Sequence, residues 1–150
     1  MRRVAAGLAG LVLMGVAGAA QAQGLRPDQQ LCRDIFEELV ETNTALSNGS
    51  CTAAAAKMGA RLKAAGFSDS ELHYITEPAH PKEGSLVAVL QGSDPNAGAV
   101  LLLGHIDVVE ARRADWTRDP FTLIEEDGYF YGRGTADMKG LDAIWVDTLI

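Results

Sequence analysis

The chain has 150 residues, of which 47% are hydrophobic, enough to build one core and normal for a globular protein. Its formal net charge is -7 and it has no basic run, which argues against nucleic acid or an anionic membrane surface as a partner. No internal repeat is present, so a solenoid is excluded.

The N-terminus reads as a targeting segment. Arg2-Arg3 supply a short positive region, Val4 to Ala20 is an uncharged run of Ala, Gly, Leu, Val and Met, and Ala20-Gln21-Ala22 fits a small-x-small cleavage site. Residues 1–22 are therefore expected to be a cleaved signal peptide, and the protein to be secreted or periplasmic without a stable membrane anchor. A run so rich in Gly and Ala is a poor spanning helix, which needs about 20 strongly apolar residues. Export makes Cys32 and Cys51 a candidate disulfide, with two free thiols as the alternative. No CxxC spacing suggests a metal role for them.

Pro27 and Asp28 suit a first helical turn. Leu31, Ile35, Phe36, Leu39 and Val40 follow on one face, and Thr42-Asn43-Thr44 ends the helix. After a turn through Ser47-Asn48-Gly49-Ser50, Thr52 is expected to cap a second helix with Ala55, Met58, Leu62 and Ala65 inward and Gly66 as its stop. Strands are expected at Leu72 to Thr76 and Ser85 to Leu90, separated by the loop Pro78-Ala79-His80-Pro81. His73 and His80 stand alone among non-ligand residues and are read as surface or packing side chains. Ala99 to Leu103 lacks polar alternation and is expected to be a strand buried on both faces. Helices covering such strands make an α/β protein.

That strand runs into Gly104-His105-Ile106-Asp107. Ligands of open α/β sheets bind beyond the carboxyl ends of strands. A neutral imidazole suits zinc, and its second nitrogen needs an orienting partner, often a carboxylate. His105 and Asp107, two apart on extended chain, point the same way. Glu110 to Asp119 is a polar rim loop, in which Trp116 is either a substrate wall or a loop anchor. Phe121 to Glu126, Asp127-Gly128 and Tyr129 to Tyr131 form a hairpin pattern. Gly132-Arg133-Gly134 lacks the third glycine of a dinucleotide fingerprint, and Met138-Lys139-Gly140 has the wrong order for a phosphate loop. Asp137 then precedes a helix whose apolar positions are Leu141, Ile144, Trp145, Thr148 and Leu149. Its bland role is a cap.

Taken together, the stretch Gly104 to Val109, Asp115-Trp116-Thr117, Asp119-Pro120-Phe121, Asp127-Gly128 and Tyr131-Gly132-Arg133-Gly134-Thr135-Ala136-Asp137-Met138-Lys139-Gly140 resembles a known family. It is the zinc-dependent metallopeptidase and deacylase family of carboxypeptidase G, aminoacylase, acetylornithine deacetylase and succinyl-diaminopimelate desuccinylase. The resemblance is strongest over Val100 to Ile150. It implies helices packed on a mixed, largely parallel sheet, with His105 as a zinc ligand and Asp137 as a bridge between two zinc ions. Asp107 would be the catalytic carboxylate that orients His105, and the peptide after Asp137 would be cis. Lys139 has no assigned role and reads as a solvated first-turn residue.

The implied reaction is hydrolysis of an amide by a zinc-activated water, with cobalt as an alternative metal. Dipeptides, peptides with a free carboxylate and N-acyl amino acids are the implied substrates. The family's general base belongs to a Glu-Glu pair after the aspartate motif. Glu125-Glu126 precedes Asp137 and is not given that role. The base, the remaining ligands and an inserted domain that makes homodimers would lie past Ile150. Residues 23–150 are accordingly read as the N-terminal part of a catalytic domain. The competing readings are a truncated, non-catalytic derivative with at most weak metal binding, and a small exported binding domain.

Overall fold

The computed structural model describes residues 24–150, so the targeting segment read over residues 1–22 lies outside the described residues. Helix α1 spans Pro27–Glu41, with Pro27 at its first position. There its missing N–H removes a donor that would have had no intrahelical partner. Helix α2 spans Cys51–Ala64. Its cap is Ser50, whose Oγ accepts from the Ala53 N–H at 3.1 Å. Thr52, expected as the cap, instead donates from Oγ1 to the Pro81 carbonyl at 2.7 Å and accepts from the Gly84 N–H at 2.9 Å, tying α2 to the next strand pair. Gly66 ends the helix with φ +113°, as its sequence position suggests.

The two helices run antiparallel. Arg61 pairs with Glu38 and reaches the Asp34 carbonyl, while Lys57 donates to Thr42 Oγ1. Ile35, Leu39, Ala54, Met58 and Ala143 form the main core. This antiparallel order corrects the disulfide expectation. Cys32 lies toward the start of α1, and Cys51 opens α2 at the opposite end, so both are free thiols. The nine helical steps from Cys32 to Glu41 span roughly 14 Å, whereas a disulfide needs Cα atoms within about 7 Å.

Strands β1 (Leu72–Glu77) and β2 (His80–Ala88) pair antiparallel, with α2 on one face. β2 begins at His80, so part of the expected loop is strand. β3 (Ile124–Glu126) and β4 (Tyr129–Tyr131) form the expected hairpin. Asp127 and Gly128 have φ +53° and +78°, the two positive values of a type I′ turn. The α/β class stands, although both ladders among the described residues are antiparallel. A parallel pairing appears as the single bridge between Ala45 and Val108.

Ala99 to Leu103 departs from expectation. It is not part of a ladder, and Val100, Leu101 and Leu103 are 87%, 77% and 73% exposed. An apolar strand is buried on both faces only inside a sheet covered by other layers on both faces, and no described strand pairs with this run. Helix α3 (Lys139–Leu149) also turns differently from its apolar pattern. Lys139, Asp142 and Ala143 face inward, while Leu141 and Ile144 are exposed. Its apolar residues Leu141, Ala143, Ile144, Trp145, Val146 and Leu149 spread around the helix, so periodicity alone does not select its packed face. No helix among the described residues is long and apolar enough to cross a membrane.

Candidate metal centre

The two motifs meet at one open cleft, lined among others by His105, Asp107, Val109, Arg133, Thr135 and Asp137. His105 Nε2 lies 3.0 Å from Asp137 Oδ1. On the other side of the ring, Nδ1 lies 3.2 Å from Asp107 Oδ1 and 3.3 Å from the Asp107 carbonyl oxygen. The imidazole is thus held between two carboxylates with Nε2 toward the cleft. Partial burial pulls the imidazole pKa down, but the Asp137 hydrogen bond and the Asp107 charge outweigh it, and the net shift is upward. The peptide bond between Asp137 and Met138 is cis, the geometry implied by the resemblance.

The donor chemistry fits zinc. Zinc takes His nitrogen and carboxylate oxygen at about 2.0–2.2 Å, so two donors on one tetrahedral ion stand about 3.4 Å apart. The 3.0 Å between Nε2 and Oδ1 is close to that span. Asp107 behind Nδ1 supplies the second-nitrogen partner that metal-bound histidines use. Among the described residues, no group of three His, Cys, Asp or Glu side chains stands close enough together to hold an ion. A complete zinc site needs at least three protein donors, so His105 and Asp137 would make up only part of one.

Each of the two motifs is anchored to the end of α1 or the chain just after it. Thr44 Oγ1 donates to the Ile106 carbonyl at 2.6 Å, and the Val108 N–H donates to the Thr44 carbonyl at 3.4 Å. The Asp137 turn is closed by the Lys139 N–H donating to the Gly134 carbonyl at 3.0 Å. Gly134 has φ +85°, and a Cβ there would stand 2.7 Å from Val108 Cγ1. Lys139 itself corrects the sequence reading. It is 0% exposed, and its Nζ donates to the Leu39 and Thr42 carbonyls at 2.8 and 2.7 Å.

Asp142 is a second residue that the sequence did not single out. It is buried below Gly104, where a Cβ would run into its Oδ1, and its Oδ2 has no partner. Burial raises its carboxyl to about 6 despite the opposing charges of His105 and Lys139. Glycine at 104 therefore gives room to the carboxylate next to His105. Trp116 is half-buried, with the Arg133 guanidinium 5.0 Å from its ring centroid, the packing of a loop anchor. Glu125 and Glu126 are engaged by Arg33 and Arg118. His73 and His80 lie on the β1–β2 pair, outside the cleft lining.

Residues 101–150 match the model of peptidase family M20/M25/M40. The acetylornithine deacetylase of Edwardsiella ictaluri (strain 93-146) is 36% identical over 115 residues, covering 77% of this chain and 30% of that protein. The acetylornithine deacetylase of Shigella sonnei (strain Ss046) is 53% identical over 68 residues, covering 45% of this chain and 17% of that protein. The crystal structure of human carnosine dipeptidase 1 shares the fold, with TM-score 0.57 and 24% identity over 79% of this chain and 27% of that one. The chain thus spans about 30% of the length of the curated relative it matches over 115 residues.

Proposed function

From the premise that the chain belongs to peptidase family M20/M25/M40 through residues 101–150, we propose that the protein is an exported, metal-dependent hydrolase of amide bonds. One observation carries the reading: His105 Nε2 and Asp137 Oδ1 converge at 3.0 Å with Asp107 behind the ring. His105 would hold one zinc ion, and Asp137 would bridge it to a second. A bound ion there supplies a Lewis acid for the scissile carbonyl and lowers the pKa of the attacking water. Asp107 against Nδ1 would orient the ring so that Nε2, once free of its proton, could face an ion in the cleft. The open cleft would admit the substrate past Arg133, one of its lining residues, whose guanidinium stacks on Trp116. The general base and further donors come from outside the residues gathered here.

The substrates proposed are N-acyl amino acids and dipeptides. The names of the acetylornithine deacetylase relatives support the first, and that of the carnosine dipeptidase structure supports only the shared fold. Export rests on the leader pattern of residues 1–22, with mature protein beginning at Gln23, and a homodimer is proposed for the complete protein. The test is hydrolysis of N-acetyl amino acids and of dipeptides by the purified protein with added zinc or cobalt. Chelation should abolish turnover, and His105→Ala and Asp137→Asn should each remove the metal-dependent rate. Turnover that survives both substitutions would rule the reading out.

A further inference from the structure

A cation in the first turn of a helix opposes the positive end of that helix's own dipole. Lys139, the first residue of α3, avoids this by leaving its helix: its buried Nζ donates to Leu39 and Thr42 carbonyls at the negative end of α1. These acceptors are among the carbonyls that a helix C-terminus leaves without intrahelical partners. Its aliphatic stem passes beneath Gly134, and its backbone N–H closes the turn that contains Asp137. The same few residues after α1 hold the other motif, through Thr44 Oγ1 to the Ile106 carbonyl and Val108 N–H to the Thr44 carbonyl.

We infer that Thr42–Ala45 is a shared platform for both ligand segments, and that Lys139 and Thr44 are the positioning residues that set the separation of His105 and Asp137. The inference rests on the metal-site reading above. Directional bonds are the reason for a buried ammonium here. An apolar side chain would fill the same space at lower desolvation cost, but would leave the turn free to slide along α1. Two carbonyl acceptors on fixed backbone allow Nζ one position. Ile106 is similarly fixed, and it lies between His105 and Asp107. The two ligands therefore share one reference frame although they are 32 residues apart in sequence.

The test compares the protein with Lys139→Met, which keeps most of the stem and removes the donors, and with Asp137→Asn as the reference for a lost contact. Two quantities are read: Co2+ affinity by optical titration, and the 15N shifts of the His105 ring, which report the Nε2 contact without any metal. Lys139→Met should lower Co2+ affinity about 10–100-fold, the range for losing a residue that orients a ligand. It should also move the ring shifts toward those of Asp137→Asn while the amide spectrum stays folded. A purely structural lysine would lower the melting temperature and leave both readouts at wild-type values, and that result overturns the inference. If the wild type binds no Co2+ yet Lys139→Met still moves the ring shifts, the platform stands and the metal reading falls. If Lys139→Met does not fold, Thr44→Val severs the other tie and is read the same way: shifted values support the platform, wild-type values overturn it.

Discussion

Asp107 and Asp142 are neighbouring carboxylates with opposite tasks. Asp107 stands in the open cleft against His105 Nδ1. Asp107→Asn should weaken zinc binding about 10–100-fold, because a neutral amide orients and polarises the imidazole less well. Competition with a chromogenic chelator measures this, and an unchanged affinity would separate Asp107 from the metal. Asp142 is buried with one oxygen unpartnered. Its folded carboxyl titrates near 6 against 3.8 for an unperturbed one. The native state therefore holds this proton more tightly than the unfolded chain does. The stability it contributes is complete below about 3.8 and is lost as pH rises through about 6. Asp142→Asn, a neutral near-isostere, should raise the urea midpoint of the metal-free protein at pH 8 and change it little at pH 4. Equal effects at both values would mean that the carboxyl is not perturbed.

Elements were legible in proportion to how local their causes are. The hairpin follows from Asp127-Gly128, whose positive φ values favour those two residue types, and it formed where expected. α1 and α2 follow from apolar periodicity and end signals, with the cap moved from Thr52 to Ser50. Ser50→Ala should lower stability by about 1 kcal/mol, the usual effect of losing an N-cap oxygen, while Thr52→Ala acts on the link to β2 instead; chemical denaturation of both variants checks the assignment. The meeting of His105 and Asp137 was legible because motif order and spacing carry it. Lys139 was not. A first-turn lysine looks solvated until α1, about a hundred residues earlier, supplies two carbonyls. Ala99 to Leu103 failed for the same reason: its apolar run says that it can be buried, but burial depends on neighbours that local sequence does not name.

At the scale of the whole molecule, the antiparallel helices, the platform after α1 and the cleft above it form one chain of dependence. The helices place Cys32 and Cys51 at opposite ends of the bundle as free thiols. Reductant should therefore leave the melting temperature unchanged, and alkylation of the unfolded, unreduced protein should modify both cysteines; a lower melting temperature in reductant would restore the disulfide. The chain covers 30% of the Edwardsiella deacetylase, and the described residues bring His105 Nε2 and Asp137 Oδ1 within 3.0 Å.

The central claim is that His105 and Asp137 are ligands of the same ion. Diffraction from zinc-soaked crystals of the protein, recorded on both sides of the zinc edge, tests it most directly. The expected result is an anomalous peak in the cleft bonded to His105 Nε2 and to an Asp137 carboxylate oxygen, with Asp107 on Nδ1. A zinc peak bound elsewhere, with His105 Nε2 still hydrogen-bonded to Asp137, would contradict it.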